Sequence, residues 1–269
     1  MTPITFGPAH RQWKFQPESK TYDISGSETG EKLKIETTAG VQGTSVVLDP
    51  GKTALVIVDM QNYFLDGRCM DHPNGVAAIE PTIEVLDGCR KMGVQVVWLN
   101  WGLTELDLES MPAGIQRGFM KDTLLACTSQ IRPYVGLGSE LPDNQGRVLF
   151  KGSWNADIHS RLKVHVKEGD VHCAKNRMSG LWSEEQELFG YLKDAGKETI
   201  LFAGVNTDQC VLGTLTDAYN NGWNCVLIDD CCGTTTKGAR EVVVGNVGDH
   251  YGFVIDSKGF VAAGSGKAG

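Results

Sequence analysis

The sequence predicts an open α/β fold, a doubly wound and mostly parallel sheet flanked by helices. Three observations predict it: short apolar runs of the buried-strand type, helical stretches that alternate with them, and polar residues placed at the carboxyl ends of the runs. A chain of 269 residues, 41% of them hydrophobic, is long enough for one sizeable core, and sheets of this kind often make a single domain.

The elements follow in order. Residues 1–50 are polar and rich in Gly, Thr and Ser; stretches such as KLKIETT suit a hairpin but not a core, so this segment is expected as an N-terminal arm. From Thr53 the character changes, and residues 51–269 are expected as the main domain. ALVIVD is a continuous apolar run ending in an acid, which reads as a buried parallel strand delivering Asp59 at its carboxyl end. A helix over about 78–91 and the strand VQVVWLN, ending at Asn100 and Trp101, complete a β-α-β unit. Residues 102–145 carry Pro112, Gly114, Pro133, Gly136, Gly138 and Pro142, with one helix expected near 114–127; they read as an insertion over one face and a candidate lid. In SEEQELFGYLKDAG, Ser183 and Gln186 have capping-box spacing ahead of an amphipathic pattern that leads to the strand ETILFAGV. A helix from about 207 to 221, the strand in NCVLIDDCCGTTT, another helical segment and a short strand in YGFVID finish the chain. Such sheets place their sites at the carboxyl ends of the strands, where Asp59, Asn100 and residues 205–210 all fall.

Composition narrows the partner. The net charge of −8 is spread thinly, without a basic patch, so neither a nucleic acid nor an anionic membrane is expected, and a small molecule fits better. No apolar run reaches membrane-spanning length, and the start MTPITFGPAHRQWKF lacks the zones of a secretory signal; the expected location is the cytosol. The eight cysteines are scattered and include the neighbours Cys231 and Cys232, an awkward pair for a disulfide framework, so all are read as reduced thiols. There is no HExxH and no pair of CxxC motifs, so neither a metal nor a cofactor is expected.

Two residues stand out chemically. Cys210 lies in AGVNTDQCVLGTLTDA, where a buried strand turns through Gly204 into a helix, so its thiol falls in the first helical turn. Unpaired backbone N–H groups there favour a thiolate and can hold an oxyanion. The plain alternative is a small buried apolar residue, as expected for most of the other cysteines. Asp59 is either a base whose pKa burial raises or an ordinary N-cap for MQNYF. Composition alone does not choose a lysine.

Three stretches resemble, in order, the motifs of the isochorismatase-like cysteine hydrolases: ALVIVDMQNYF the first catalytic motif, GDVHCAKNRMSGLW the lysine motif and AGVNTDQCVLGTLTDA the nucleophile motif. The resemblance covers about residues 50–262 and implies a Rossmann-type three-layer sandwich. It further implies Asp59 as base, Lys175 as cation and Cys210 as nucleophile. A cis peptide between Val205 and Asn206 is implied too, aiming the N–H groups of Asn206 and Cys210 at a substrate carbonyl. Lys151, in VLFKGSWNADI, is a rival for the lysine, but KNRMSGLW followed by a helix matches the family pattern better. The resemblance also suggests a homo-oligomer.

Within that superfamily, the stretch NWGLTELDLESMP lacks the histidines of a nicotinamidase metal site, and the cysteine favours acyl transfer over vinyl-ether cleavage. The expected activity is hydrolysis of a small amide or ureido C–N bond, with GSWNADI, KNRMSG and GVNTDQC looking closest to the ureidoacrylate or N-carbamoyl amidohydrolases. Gln61, Tyr63, Asn100, Trp101, Arg177 and Trp182 are nominated for the substrate pocket by position. The alternatives are an isochorismatase-type hydrolase of a non-amide molecule and a non-catalytic scaffold whose insertion closes the pocket. A nucleotide-binding Rossmann protein is disfavoured, because no strand is followed by GxGxxG or GxxxxGK[ST].

Overall fold

The computed structural model describes residues 2–26, 28–126 and 136–266. Strands β1 (Ile4–Phe6), β2 (Trp13–Gln16), β3 (Thr21–Asp23), β4 (Leu33–Glu36) and β5 (Ser45–Leu48) form a five-stranded sheet in the order β1-β2-β3-β5-β4. The expectation of an arm without a core is therefore corrected. Each short strand looks too polar by itself, but Leu33 and Ile35 alternate inward along β4 and join Ile24, Val46 and Leu48 in one buried face. Trp13 and Tyr22 stack against Phe253 at ring-centroid distances of 5.5 and 5.3 Å, and Trp13 Nε1 donates to Asn224 Oδ1, tying this sheet to the larger one.

The larger sheet has six strands, all parallel: β6 (Thr53–Val58), β7 (Gln95–Trp101), β10 (Val171–Lys175), β11 (Thr199–Val205), β12 (Asn224–Gly233) and β13 (Phe253–Ile255). Between β7 and β10 lies a small antiparallel pair, β8 (Glu140–Leu141) and β9 (Gly146–Arg147). The spatial order is β10-β7-β6-β11-β12-β13, so the chain builds outward one way from β6 and then the other way from β11. That reversal opens a crevice at the carboxyl ends of β6 and β11, where doubly wound folds bind ligands. Every residue of β6 and β11 is buried, as expected for central strands covered on both faces.

Gly204 makes the crevice. Its φ is +119°, and a Cβ on it would lie 2.0 Å from the carbonyl oxygen of Val58. Only glycine permits β11 to approach β6 so closely just before the turn that carries Cys210. The insertion contains a helix at Glu105–Glu109, opened by a Thr104–Asp107 capping box, and a second at Ala113–Ala126. The last residue of the helix expected near 114–127, and Pro133, lie outside the described residues. The capping box expected at Ser183 does not form: Ser183 Oγ accepts from Glu185 N–H, and the helix starts later, at Glu187–Asp194. Glu187 is held there by accepting the Ala174 N–H at the end of β10. No helix among the described residues is long and apolar enough to cross a membrane.

Candidate active site

Asp59 follows the last residue of β6 and takes a left-handed backbone conformation, φ +52°, which a non-glycine residue adopts at a cost of about 1–3 kcal/mol. Its N–H donates to Leu99 on β7, and its carbonyl accepts from Gln61 N–H, so the turn is fixed from both sides. Lys175 closes β10 two strands away, in register with Trp101 of β7. From there its side chain reaches across the sheet edge, and Lys175 Nζ lies 3.0 Å from Asp59 Oδ2 with both side chains fully buried. The same ammonium donates to Cys210 Sγ at 3.4 Å and to the Arg177 carbonyl at 3.1 Å, and stands 3.9 Å from the Trp101 ring centroid.

Cys210 sits in a wide helical turn, Thr207–Val211, in which Val211 N–H reaches back to the Asn206 carbonyl; a regular helix follows at Leu212–Asn220. The Val205–Asn206 peptide just before that turn is cis. The Asn206 side chain is held by His72, whose Nδ1 accepts from Gly75 N–H, so that its Nε2 donates to Asn206 Oδ1 at 2.6 Å. Thr214 Oγ1 donates to the Cys210 carbonyl and accepts from Gly180 N–H, linking the Cys210 turn to the loop after Lys175.

Electrostatics decide which proton is available. Burial pushes the Cys210 thiol up to about 12, the neighbouring Asp59 charge pushes the same way, and Lys175 and the Trp101 side chain pull it down. The thiolate expected from the helical turn alone is therefore disfavoured in the buried site, because desolvation outweighs a few backbone dipoles. Burial also raises Asp59, against the pull of Lys175. Neither Asp59 oxygen makes a well-aligned hydrogen bond, so the carboxylate has spare capacity to accept a proton from the thiol beside it. Moving that proton from sulfur to carboxylate leaves the net charge of the buried trio unchanged. The transfer therefore adds no net charge to a buried site.

The other nominated residues divide. Gln61 works as a clamp: its Oε1 accepts from Trp101 N–H, and its Nε2 donates to the carbonyls of Trp101 and Ala156. Tyr63 is half-buried against Phe64, its phenol pushed up to about 12 by burial. Asn100 alternates to the opposite face from Trp101, where it lines a separate groove with Ile158, Lys163 and His172. Arg177 and Trp182 lie on the outer side of the loop, the guanidinium 5.1 Å from the indole centroid. Arg177 also donates to the Ser110 carbonyl and reaches Met111 Sδ, so these two tie the loop to the insertion. Lys151 is exposed and borders, with Lys175, a small cavity that also includes Asp107 and Glu187.

Two residues escaped the sequence reading. Met178 covers the thiol: its Sδ lies 3.6 Å from Cys210 Sγ while its side chain remains 42% exposed. Nothing in KNRMSG distinguishes it from a surface methionine. His72 did carry a signal, since it precedes a proline and serves as N-cap of the helix Pro73–Ala77. Among the described residues no group of three or more His, Cys, Asp and Glu side chains could hold a metal ion.

The chain is similar to curated and solved proteins over most of its length. It is 27% identical over 242 residues to the ureidoacrylate amidohydrolase RutB of Acinetobacter baylyi, covering 87% of this chain and 89% of the relative. A second ureidoacrylate amidohydrolase RutB, from Rhizobium rhizogenes, is 27% identical over 247 residues, covering 88% of this chain and 94% of that relative. Its fold is shared with a cysteine hydrolase from Pseudomonas syringae pv. phaseolicola (TM-score 0.64, 16% identity, 82% of this chain and 95% of the other). An N-carbamoylsarcosine amidase from Thermoplasma acidophilum shares it as well (TM-score 0.56, 22% identity, 77% of this chain and 96% of the other). The isochorismatase-domain profile matches residues 53–258, so the chain belongs to the isochorismatase-like hydrolase superfamily.

Proposed function

We propose that this protein is a cysteine amidohydrolase that cleaves an amide or ureido C–N bond of a small molecule through a thioester on Cys210. The observation that carries the proposal is the buried cluster of Asp59, Lys175 and Cys210, with Lys175 Nζ 3.0 Å from the carboxylate and 3.4 Å from the sulfur. An aspartate, a lysine and a cysteine have no structural need to converge at one buried point, and burying them is costly. Similarity to two ureidoacrylate amidohydrolases supports the ureido class.

In this reading Asp59 takes the Cys210 proton as the sulfur attacks the carbonyl carbon. The N–H groups of Asn206 and Cys210 receive the developing oxyanion, and Lys175 balances the charge on the sulfur. Collapse breaks the C–N bond, and the proton on Asp59 passes to the departing nitrogen. Asp59 then takes a proton from water as it attacks the thioester, the C–S bond breaks to free the acid, and Asp59 returns the proton to the Cys210 sulfur. Met178 must swing aside for the substrate to reach the sulfur. Free thiols at Cys69, Cys89, Cys173, Cys225, Cys231 and Cys232 support a reducing, cytosolic setting as part of the same proposal.

The test is ammonia release from ureido acids, carbamoyl amino acids, biuret, simple amides and nicotinamide, with the wild type beside Cys210→Ala. Release that disappears in the variant is expected, and it identifies the substrate class. Equal release by both proteins contradicts the reading.

A further inference from the structure

Trp101 was nominated for the substrate pocket, but its surroundings point elsewhere. It ends β7 almost wholly buried, with its backbone held at both N–H and carbonyl by the Gln61 amide. One face of the ring carries the Lys175 ammonium at 3.9 Å from the centroid, and Phe119 packs against the ring edge-on at 5.2 Å. Its indole N–H is buried and has no hydrogen-bond partner. The same ammonium that lies on the ring stands 3.4 Å from the Cys210 sulfur, and the Trp101 side chain holds the thiol's pKa down.

A buried donor without an acceptor is uncommon and needs a reason. Here the neighbour supplies one. A neutral thiol is a weak acceptor, whereas a thiolate accepts strongly, so an N–H that finds little in the resting site gains a partner once the proton has left.

We infer that Trp101 is a catalytic residue serving the nucleophile: its indole N–H donates to the Cys210 sulfur as that sulfur becomes anionic, while its ring face seats the Lys175 ammonium. The inference rests on the cysteine mechanism proposed above. When Asp59 takes the thiol proton, the S–H electron pair stays on sulfur, and the indole N–H hydrogen-bonds to it without being transferred. As that pair forms the S–C bond, the hydrogen bond weakens and the ring remains as the seat for Lys175. Trp101 thereby offsets part of the desolvation that holds the thiol neutral, without adding charge to the site.

The test reads the pH dependence of Cys210 alkylation by iodoacetamide, followed by mass spectrometry of its peptide. The wild type is compared with Trp101→Phe, which keeps a ring and loses the donor. The titratable groups facing the sulfur are Asp59 after β6 and Lys175 at the end of β10. Both are retained. The expected result is a midpoint raised by about one unit, hence roughly tenfold less thiolate at a fixed lower pH. For a hydrolysed substrate, kcat should fall while KM holds. Should Trp101→Phe fold poorly, β-(3-benzothienyl)alanine at position 101 keeps the indole shape and replaces N–H by sulfur. An unchanged midpoint and unchanged kcat in a folded variant overturn the inference. If alkylating Cys210 leaves wild-type hydrolysis intact, the cysteine mechanism itself fails, and that outcome is read from the wild type alone.

Discussion

ALVIVD and CVLIDD are nearly the same sentence in sequence, an apolar strand ending in acid, yet the two strand ends have opposite characters. At the end of β6, Asp59 is fully buried, sits in a left-handed turn and meets a lysine and a cysteine from β10 and the segment after β11. Toward the end of β12, Asp229 pairs with Arg240, while Asp230 accepts from the N–H and hydroxyl of Ser257. Those acids anchor the helices that follow and border an open groove lined by Thr234, Lys237 and Glu241. An acid at a strand end is thus no sign of chemistry. What marks Asp59 is convergence: its strand lies where the sheet order reverses, so neighbours on both sides contribute side chains to one point.

The strongest way to break this contrast is to remove the proposed nucleophile. Cys210→Ala should cost at least about 10⁴-fold in kcat, since members of a catalytic unit are not additive. The same test on Cys232, buried near the end of β12, should leave kcat within about twofold, because a buried thiol without catalytic partners acts only through packing.

Next come the two acids. Asp59→Asn should lower kcat/KM by on the order of 10³-fold and also cost about 3 kcal/mol in urea unfolding, because it leaves Lys175 buried without its counter-charge. Asp229→Asn should keep kcat near wild type and change stability by less than about 1 kcal/mol, since its arginine partner is half exposed. Comparable activity losses from both substitutions would dissolve the distinction.

The pH profile sharpens it further. A base works only when ionised, and burial raises the Asp59 carboxyl above its ordinary value of 3.8. Activity should therefore rise with pH along an acidic limb whose midpoint lies above 3.8, measured as kcat/KM of the free enzyme. A limb at or below that value would mean that the base is a more exposed group.

The smallest expected effect is at the cover. Met178→Ala should speed Cys210 alkylation several-fold at fixed pH, because the exposed thioether lies 3.6 Å from the sulfur. An unchanged rate would place the entry path elsewhere.

Legibility in the sequence followed the same physical divide. The central strands β6 and β11 carry continuous apolar runs because both faces are covered, so their positions and polar ends could be read directly, whereas the edge strand β10, VHCAK, carries no such run and does not read as a strand. The N-terminal sheet could not be read directly either, since its strands are short, β1 is wholly exposed, and the buried face exists only once β4 and β5 pair beside β3. The late start of the helix at Glu187 turned on a contact with Ala174, thirteen residues away and invisible to capping rules. At the site, motif order led to Asp59, Lys175 and Cys210, which the fold brings together. The residues nominated by position alone are not gathered at one point. Asn100 and Trp101 are neighbours on β7 and so face opposite sides, a consequence of strand alternation that was available from the start. The raised thiol pKa depends on total burial, which no local pattern reports.

The central claim is that the acyl group passes through Cys210. Rapid mixing of the wild type with a hydrolysed substrate, acid quenching within milliseconds and peptide mapping test it most directly. The account predicts the acyl mass on the Cys210 peptide, forming as fast as the first equivalent of ammonia. A burst of ammonia with the Cys210 peptide unmodified, or the acyl group on another residue, would contradict it.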